Sequence, residues 1–168
     1  MFGIKELERF GCPKRVIDHC VAVSKKSHEI AESITKVEVD KRLIEDGAIL
    51  HDIGRCRTHG IDHAVVGAKL ARDIGAGEDV VKIIERHIGA GITGEEAVSI
   101  GLPSGDYIPA TYEEKIVAYA DNLTNGAKYL TFEQSLRLYK KIMGDQHPSI
   151  QRFIDLHEEI SFLSTALT

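Results

Sequence analysis

The sequence predicts an all-α fold of about seven helices. Apolar residues recur with the 3.6-residue period in seven stretches, and no segment alternates apolar and polar side chains over more than a few positions, so no sheet is expected. Punctuation agrees: Pro13, Asp40 and Thr111 stand where helices should open, and Gly54 and Gly89 where they should close. At 168 residues the chain is long enough to bury a core without staples, and residues 1–168 are expected to form one domain. Its 15 glycines and four prolines are spread out, which excludes low-complexity segments. A net charge of −5 offers no basic field for a phosphate backbone and argues against duplex nucleic acid as a partner. Cys12, Cys20 and Cys56 cannot all pair within one chain, and no signal-like or membrane-spanning apolar run is visible. A cytoplasmic protein with no membrane association is expected.

The first long helix is expected from Pro13 to about Thr35, with Val16, Cys20, Val23, Ile30, Ala31 and Ile34 as its buried stripe. His19 stands at the edge of that stripe. His28, nine residues on, is half a turn out of phase, beside Lys25 and Glu32 on the face expected to meet water. Asp40 caps a second helix that carries Leu43, Ala48, Ile49 and Leu50 and ends in the pair His51-Asp52. Neighbouring helical side chains diverge by about 100°, so this pair can share one ion only at the helix end. Gly54 is expected in the left-handed conformation just past that end, where the macrodipole favours a cation. Arg55 and Arg57 follow and are candidates to bind an anionic substrate.

A third helix over 62–74 places His63, Val66, Gly67, Leu70 and Ile74 on one face, with His59 just outside it. A fourth over 78–88 carries Val80, Ile83, Ile84 and an inward His87, and stops at Gly89. Residues 89–111 form the one irregular stretch, expected to border the substrate pocket, with a capping box at Thr93 and Glu96 opening a short helix. Thr111 and Glu114 repeat that spacing before Ile116, Val117, Ala120 and Thr124, which bring Asp121 onto or beside a buried face. A carboxylate there is costly unless paired or bound to a metal. Two helices over 132–143 and 148–163 complete the bundle, and His157 on the last one reads as a satisfied core histidine.

His19, His51, Asp52, His63, His87 and Asp121 therefore come from five successive helices, all on or beside buried faces. Five helices each burying such a group point to a shared partner. Imidazole and carboxylate suit zinc, iron, manganese or nickel, and the lack of cysteine among them argues against a closed structural zinc site. Six ligands are enough for two ions bridged by one carboxylate.

Three segments carry a resemblance: Val16-Ile17-Asp18-His19-Cys20, Leu50-His51-Asp52-Ile53-Gly54-Arg55 and Ala118-Tyr119-Ala120-Asp121-Asn122. They resemble the HD superfamily of metal-dependent phosphohydrolases, whose pattern is an early histidine, a His-Asp pair and a distant aspartate on an all-α bundle. The resemblance implies a single HD domain with a first metal site at His19, His51, Asp52 and Asp121. The stretch from His63 to Ala68 and the later His87 look like the second-metal histidines of a dinuclear branch that includes the HD-type diadenosine tetraphosphate hydrolases. Arg86-His87 stands where some of its members have paired histidines. The implied cofactor is one or two divalent ions among Fe, Mn, Zn, Ni, Co and Mg. The implied activity is hydrolysis of a nucleotide or other small phosphorylated metabolite by a metal-activated water, with Asp52 as the catalytic residue and Arg55 and Arg57 holding a phosphate that is not transferred. Two alternatives stay open: an HD-type diiron oxygenase, which shares much of the ligand set, and a catalytically silent HD module that binds a nucleotide. A homo-oligomer is compatible with all three.

Overall fold

The structure, a computed structural model, describes residues 1–165. Their elements run α1 (Ile4–Arg9), α2 (Lys14–Ser33), α3 (Lys41–Leu50), a 3₁₀ turn (Ile53–Cys56), α4 (His63–Asp73), α5 (Glu78–Glu85), α6 (Gly94–Ser99) and α7 (Tyr112–Asn122). A ribbon of β1 (Thr124–Asn125) and β2 (Lys128–Tyr129) follows, then α8 (Phe132–Met143) and α9 (Pro148–Leu163). The caps are where residue chemistry places them. The Asp40 carboxylate accepts the Arg42 and Leu43 N–H groups at 3.0 Å, and Thr93 and Glu96 close a reciprocal capping box. Along α2 the apolar stripe is buried while His28 is exposed, as its phase requires. No described helix is long and apolar enough to cross a membrane.

Two apolar clusters hold the helices. One joins α2, α3, α5, α7 and α9 through Val23, Ile44, Ile83, Ile116, Phe153 and Ile160. The other joins α1, α2, α3, α4 and α5 through Leu7, Val16, Leu50, Ala68, Val81 and Ile84. His157 is satisfied between helices: its Nδ1 shares a hydrogen bond with Tyr119 Oη at 2.5 Å and its ring stacks on Phe132. Residues 89–111 have a small core of their own in Ile92, Ala97, Leu102 and Tyr107. Reciprocal main-chain bonds between Ile92 and Tyr107 pin the segment, which is therefore not a loose connector.

The structure departs from the sequence expectation in several places. Helix α1 was not foreseen, because six residues with one buried side chain, Leu7, carry no periodicity. The sequence leads to no sheet, yet within the all-α fold Thr124 pairs with Tyr129 and Asn125 with Lys128 around Gly126, whose φ is +61°. Asn125-Gly126 is a hairpin signal, but two-residue strands are too short to alternate. On α4 the fully buried residues are His63, Ala64, Gly67, Ala68 and Ala71, whereas Val66, Leu70 and Ile74 are only partly covered. Small side chains let α4 approach closely. Gly54 shows why: it lies in the 3₁₀ turn, outside the left-handed region, and a Cβ on it would stand 1.9 Å from the His63 carbonyl oxygen and 2.7 Å from Gly67 N. The glycine serves close packing, not chain reversal.

Candidate metal centre

Helix ends build the site. His51 follows the last residue of α3, and Asp52 follows His51. His63 is the first residue of α4, His87 lies just past α5, Asp121 is in the last turn of α7, and His19 is in the second turn of α2. The C-terminal poles of α3, α5 and α7 favour a cation between them, with the N-terminus of α4 opposing. Each imidazole is oriented by a main-chain carbonyl. His51 Nδ1 lies 2.7 Å from Ala48 O, His63 Nδ1 2.8 Å from Gly60 O and His87 Nδ1 2.6 Å from Ile84 O, in each case the carbonyl three residues earlier. His19 Nδ1 lies 2.8 Å from Gly126 O in the ribbon turn. A carbonyl can only accept, so all four Nδ1 atoms carry the proton and all four Nε2 atoms face inward, the arrangement that metal-ligating histidines use.

The inward atoms fall into two pairs. His19 and His51 Nε2 are 3.3 Å apart, and His63 and His87 Nε2 are 3.2 Å apart. Two nitrogens bound to one ion at about 2.1 Å stand roughly 3.0 to 3.4 Å apart, so each spacing fits neighbouring positions on one ion. Asp52 lies between the pairs. Its Oδ2 is 3.9 Å from His19 Nε2 and 4.0 Å from His51 Nε2, and its Oδ1 is 3.3 Å from His63 Nε2 and 3.4 Å from His87 Nε2. Asp121 Oδ1 approaches the first pair at 2.9 and 3.6 Å. Groupings with metal-ligand spacing are His19-His51-Asp52, Asp52-His63-His87 and, across the centre, His51-His87-Asp121. The His51 side chain is fully buried, whereas that of His19 keeps 15% exposure and opens on a cleft, and that of Asp121 keeps 21%.

The field inside is that of a cation site. Burial opposes an imidazolium at His19, but the Asp121 hydrogen bond and charge, the Gly126 carbonyl and Asp52 outweigh it and lift His19 from 6.5 to about 9. Burial and the neighbouring His87 push His63 down to about 4. Against the cost of burial, His19 and His51 hold the Asp121 carboxyl well below the usual range, and His87 and His51 do the same for Asp52. A test follows from the sign. A histidine raised from 6.5 to about 9 gives stability that is complete below pH 6.5 and lost as pH rises through 9. Chelator-treated protein should therefore melt at falling temperature between those pH values, and His19→Gln should remove most of that slope. Metal affinity should rise over the same interval, because the ligand must shed its proton. Parallel pH profiles for wild type and His19→Gln, with and without chelator, would contradict both.

The predicted residues come together with one exception. Arg55 Nε donates to Asp52 Oδ1 at 3.3 Å, and its Nη1 to His59 O at 3.0 Å. Arg57, expected beside it, points away: it donates to Phe10 O and Cys56 O and lies over the Phe10 ring. In a 3₁₀ turn of about three residues, Arg55 returns beneath Asp52 while Arg57 is carried round to α1. Residues 89–111 likewise do not line the cleft, whose walls are Arg15, Val16, His19, Asp52, Arg55, His59 and Gly126. Arg86 turns outward onto buried Glu114, with Nη1 to Oε2 at 3.0 Å, so Glu114 does not complete the capping box with Thr111. Asn122 Nδ2 donates to Gly89 O at 2.7 Å, and the segment bearing His87 is thus tied to α7 on both sides. Neither tie leaves a signal in the sequence beyond the capping-box spacing that Glu114 uses otherwise.

Over residues 16–126 the sequence matches the HD domain family. It is 51% identical over 154 residues to an uncharacterized protein of Methanocaldococcus jannaschii, covering 90% of this chain and 91% of that protein. It is 43% identical over 146 residues to the tRNA (cytidine(56)-2'-O)-methyltransferase of Picrophilus torridus, covering 87% of this chain but 41% of the methyltransferase, so the chain spans less than half of that relative's length. Its fold is like that of the HD domain of the L. monocytogenes phosphodiesterase PgpH, solved in complex with cyclic-di-AMP. The TM-score is 0.57 at 14% identity, over 98% of this chain and 99% of that one.

Proposed function

The chain belongs to the HD domain family, and on that premise we propose that it is a metal-dependent phosphohydrolase acting on a small phosphorylated metabolite, with nucleotides as the first class to test. The observation that carries this reading is the set of four Nε2 atoms turned by main-chain carbonyls toward two carboxylates, with one oxygen of Asp52 toward each imidazole pair. His19, His51 and Asp121 are assigned to one ion, His63 and His87 to the other, and Asp52 to both. A divalent ion bound by these residues would supply a water acidified to a pKa of about 7 and positive charge opposite phosphoryl oxygens. The chain does the rest. Arg55 fixes the Asp52 carboxylate, the buried His51, His63 and His87 close the back of the site to bulk water, and His19, which lines the cleft, marks the side from which substrate arrives.

PgpH is a phosphodiesterase and its HD domain was solved with a cyclic dinucleotide, which supports a nucleotide here. Two relatives are methyltransferases of tRNA, so short RNA-derived phosphodiesters belong in the same screen. The test is turnover by manganese- or iron-loaded protein, without oxygen, of nucleotides, dinucleotides, dinucleoside polyphosphates and sugar phosphates. Phosphate or nucleoside monophosphate release is expected. Turnover that needs O₂ would make it an oxygenase, and tight nucleotide binding without turnover a silent binding module.

Metal counting tests the assignment of the ions. Wild type should hold about two per chain, and His63→Ala and His87→Ala about one each with an unchanged helical spectrum, because the first site and the core stay intact. Retention of the wild-type count by both variants would remove these histidines from the ligand set.

A further inference from the structure

Two arginines line the cleft, and the spacing of the ligands puts them there. Arg15 lies four residues before His19 on α2, so the two share a helix face. Arg55 lies three residues after Asp52, which brings it round the 3₁₀ turn to the same side. His59 holds both: its carbonyl oxygen accepts from Arg55 Nη1 at 3.0 Å, and its Nε2 is 3.3 Å from Arg15 Nη2. Arginine can only donate, so His59 Nε2 accepts and its Nδ1–H is left as a further donor. Among the described residues Arg15 has no carboxylate within ion-pair distance, and the one carboxylate that Arg55 meets is Asp52, which faces the imidazoles. Among the described residues Asp52 is also the one carboxylate lining the cleft, whose volume of about 630 Å³ suits a nucleotide-sized ligand. Two guanidinium groups that line one cleft, tied to the ring and the main chain of the same histidine, one of them without a carboxylate and the other sharing its own with the imidazoles, form a receptor for an anion.

We propose that Arg15, Arg55 and His59 form a subsite for a second phosphoryl group, next to the one bound at the histidine-aspartate centre, so that favoured ligands carry two phosphoryl groups rather than one. This rests on the phosphohydrolase reading for the position of the first group, but its test does not need turnover. The probes are adenosine 5'-monophosphate and adenosine 5'-(α,β-methylene)diphosphate, titrated calorimetrically into the manganese-loaded full chain, with metal content read on each sample. Wild type should bind the diphosphonate at least about tenfold more tightly, as one added charge-assisted contact provides. Arg15→Gln and His59→Ala should each shrink that preference to less than about threefold, and Arg15→Lys should restore part of it. Equal affinity of wild type for the two probes, or a preference that survives in Arg15→Gln, overturns the subsite. Failure to hydrolyse any ester alongside an Arg15-dependent preference would instead overturn the phosphohydrolase reading alone.

Discussion

Asp52→Asn should abolish hydrolysis and strip the centre of its ions while leaving the helices in place. The carboxylate presents one oxygen to each imidazole pair, Oδ2 toward His19 and His51 and Oδ1 toward His63 and His87. Asparagine keeps the volume, but one of its two ends is an amide donor with no lone pair, so whichever way it turns one pair loses its shared ligand. It also removes the negative charge that would offset two adjacent cations. Metal affinity should fall by about 10–100-fold, as loss of a ligand or its support does, and turnover by about 10³-fold or more. The side chain is nearly buried but isosteric, so the far-ultraviolet spectrum should not change. Metal analysis and single-substrate turnover on the purified variant decide the matter. A full metal complement, or more than about a tenth of wild-type activity, would show that Asp52 is not shared.

The second large effect is on stability. Gly54→Ala places a methyl group 1.9 Å from the His63 carbonyl oxygen and 2.7 Å from Gly67 N, both main-chain atoms that cannot rotate aside. Helix α4 must shift, and His63 moves with it. The expected cost is about 3 kcal/mol or more, a fall of roughly 6 °C or more in the melting midpoint for a chain of this size. Gly77→Ala is the control, because its Cβ would meet nothing within 4 Å and its φ of −65° suits any residue. Equal melting of the Gly54 and Gly77 variants would mean that the contact between the 3₁₀ turn and α4 is soft. The Gly54 variant should also lose metal selectively from the side that His63 serves.

Much of the centre was legible because its geometry is local. Helical phase separates inward His19 from outward His28, and helix ends place His51, Asp52 and His87 where the last-turn carbonyls are free. Three of the four imidazoles take their tautomer from the carbonyl three residues back, a contact that needs nothing beyond the local turn. The stripes on α2, α3, α5, α7 and α9 were visible for the same reason, since each helix repeats its period over several turns.

The sequence by itself determined that this is an all-α HD protein and which six side chains it brings together, four of them buried and two partly exposed. Only the tertiary structure decided what holds and surrounds them. His19 takes its tautomer from Gly126, 107 residues away on a ribbon too short to show alternation. Arg57 turned to α1, a helix with no periodic signal, and its place at the cleft went to Arg15 and His59. Glu114 left its capping box for Arg86, and residues 89–111 closed on a core of their own instead of over the site. The physical reason is common to all four. Periodicity reports which face of an element is covered, whereas the partner that covers it is set by packing between segments far apart in the chain, where direction and distance leave no trace in residue spacing.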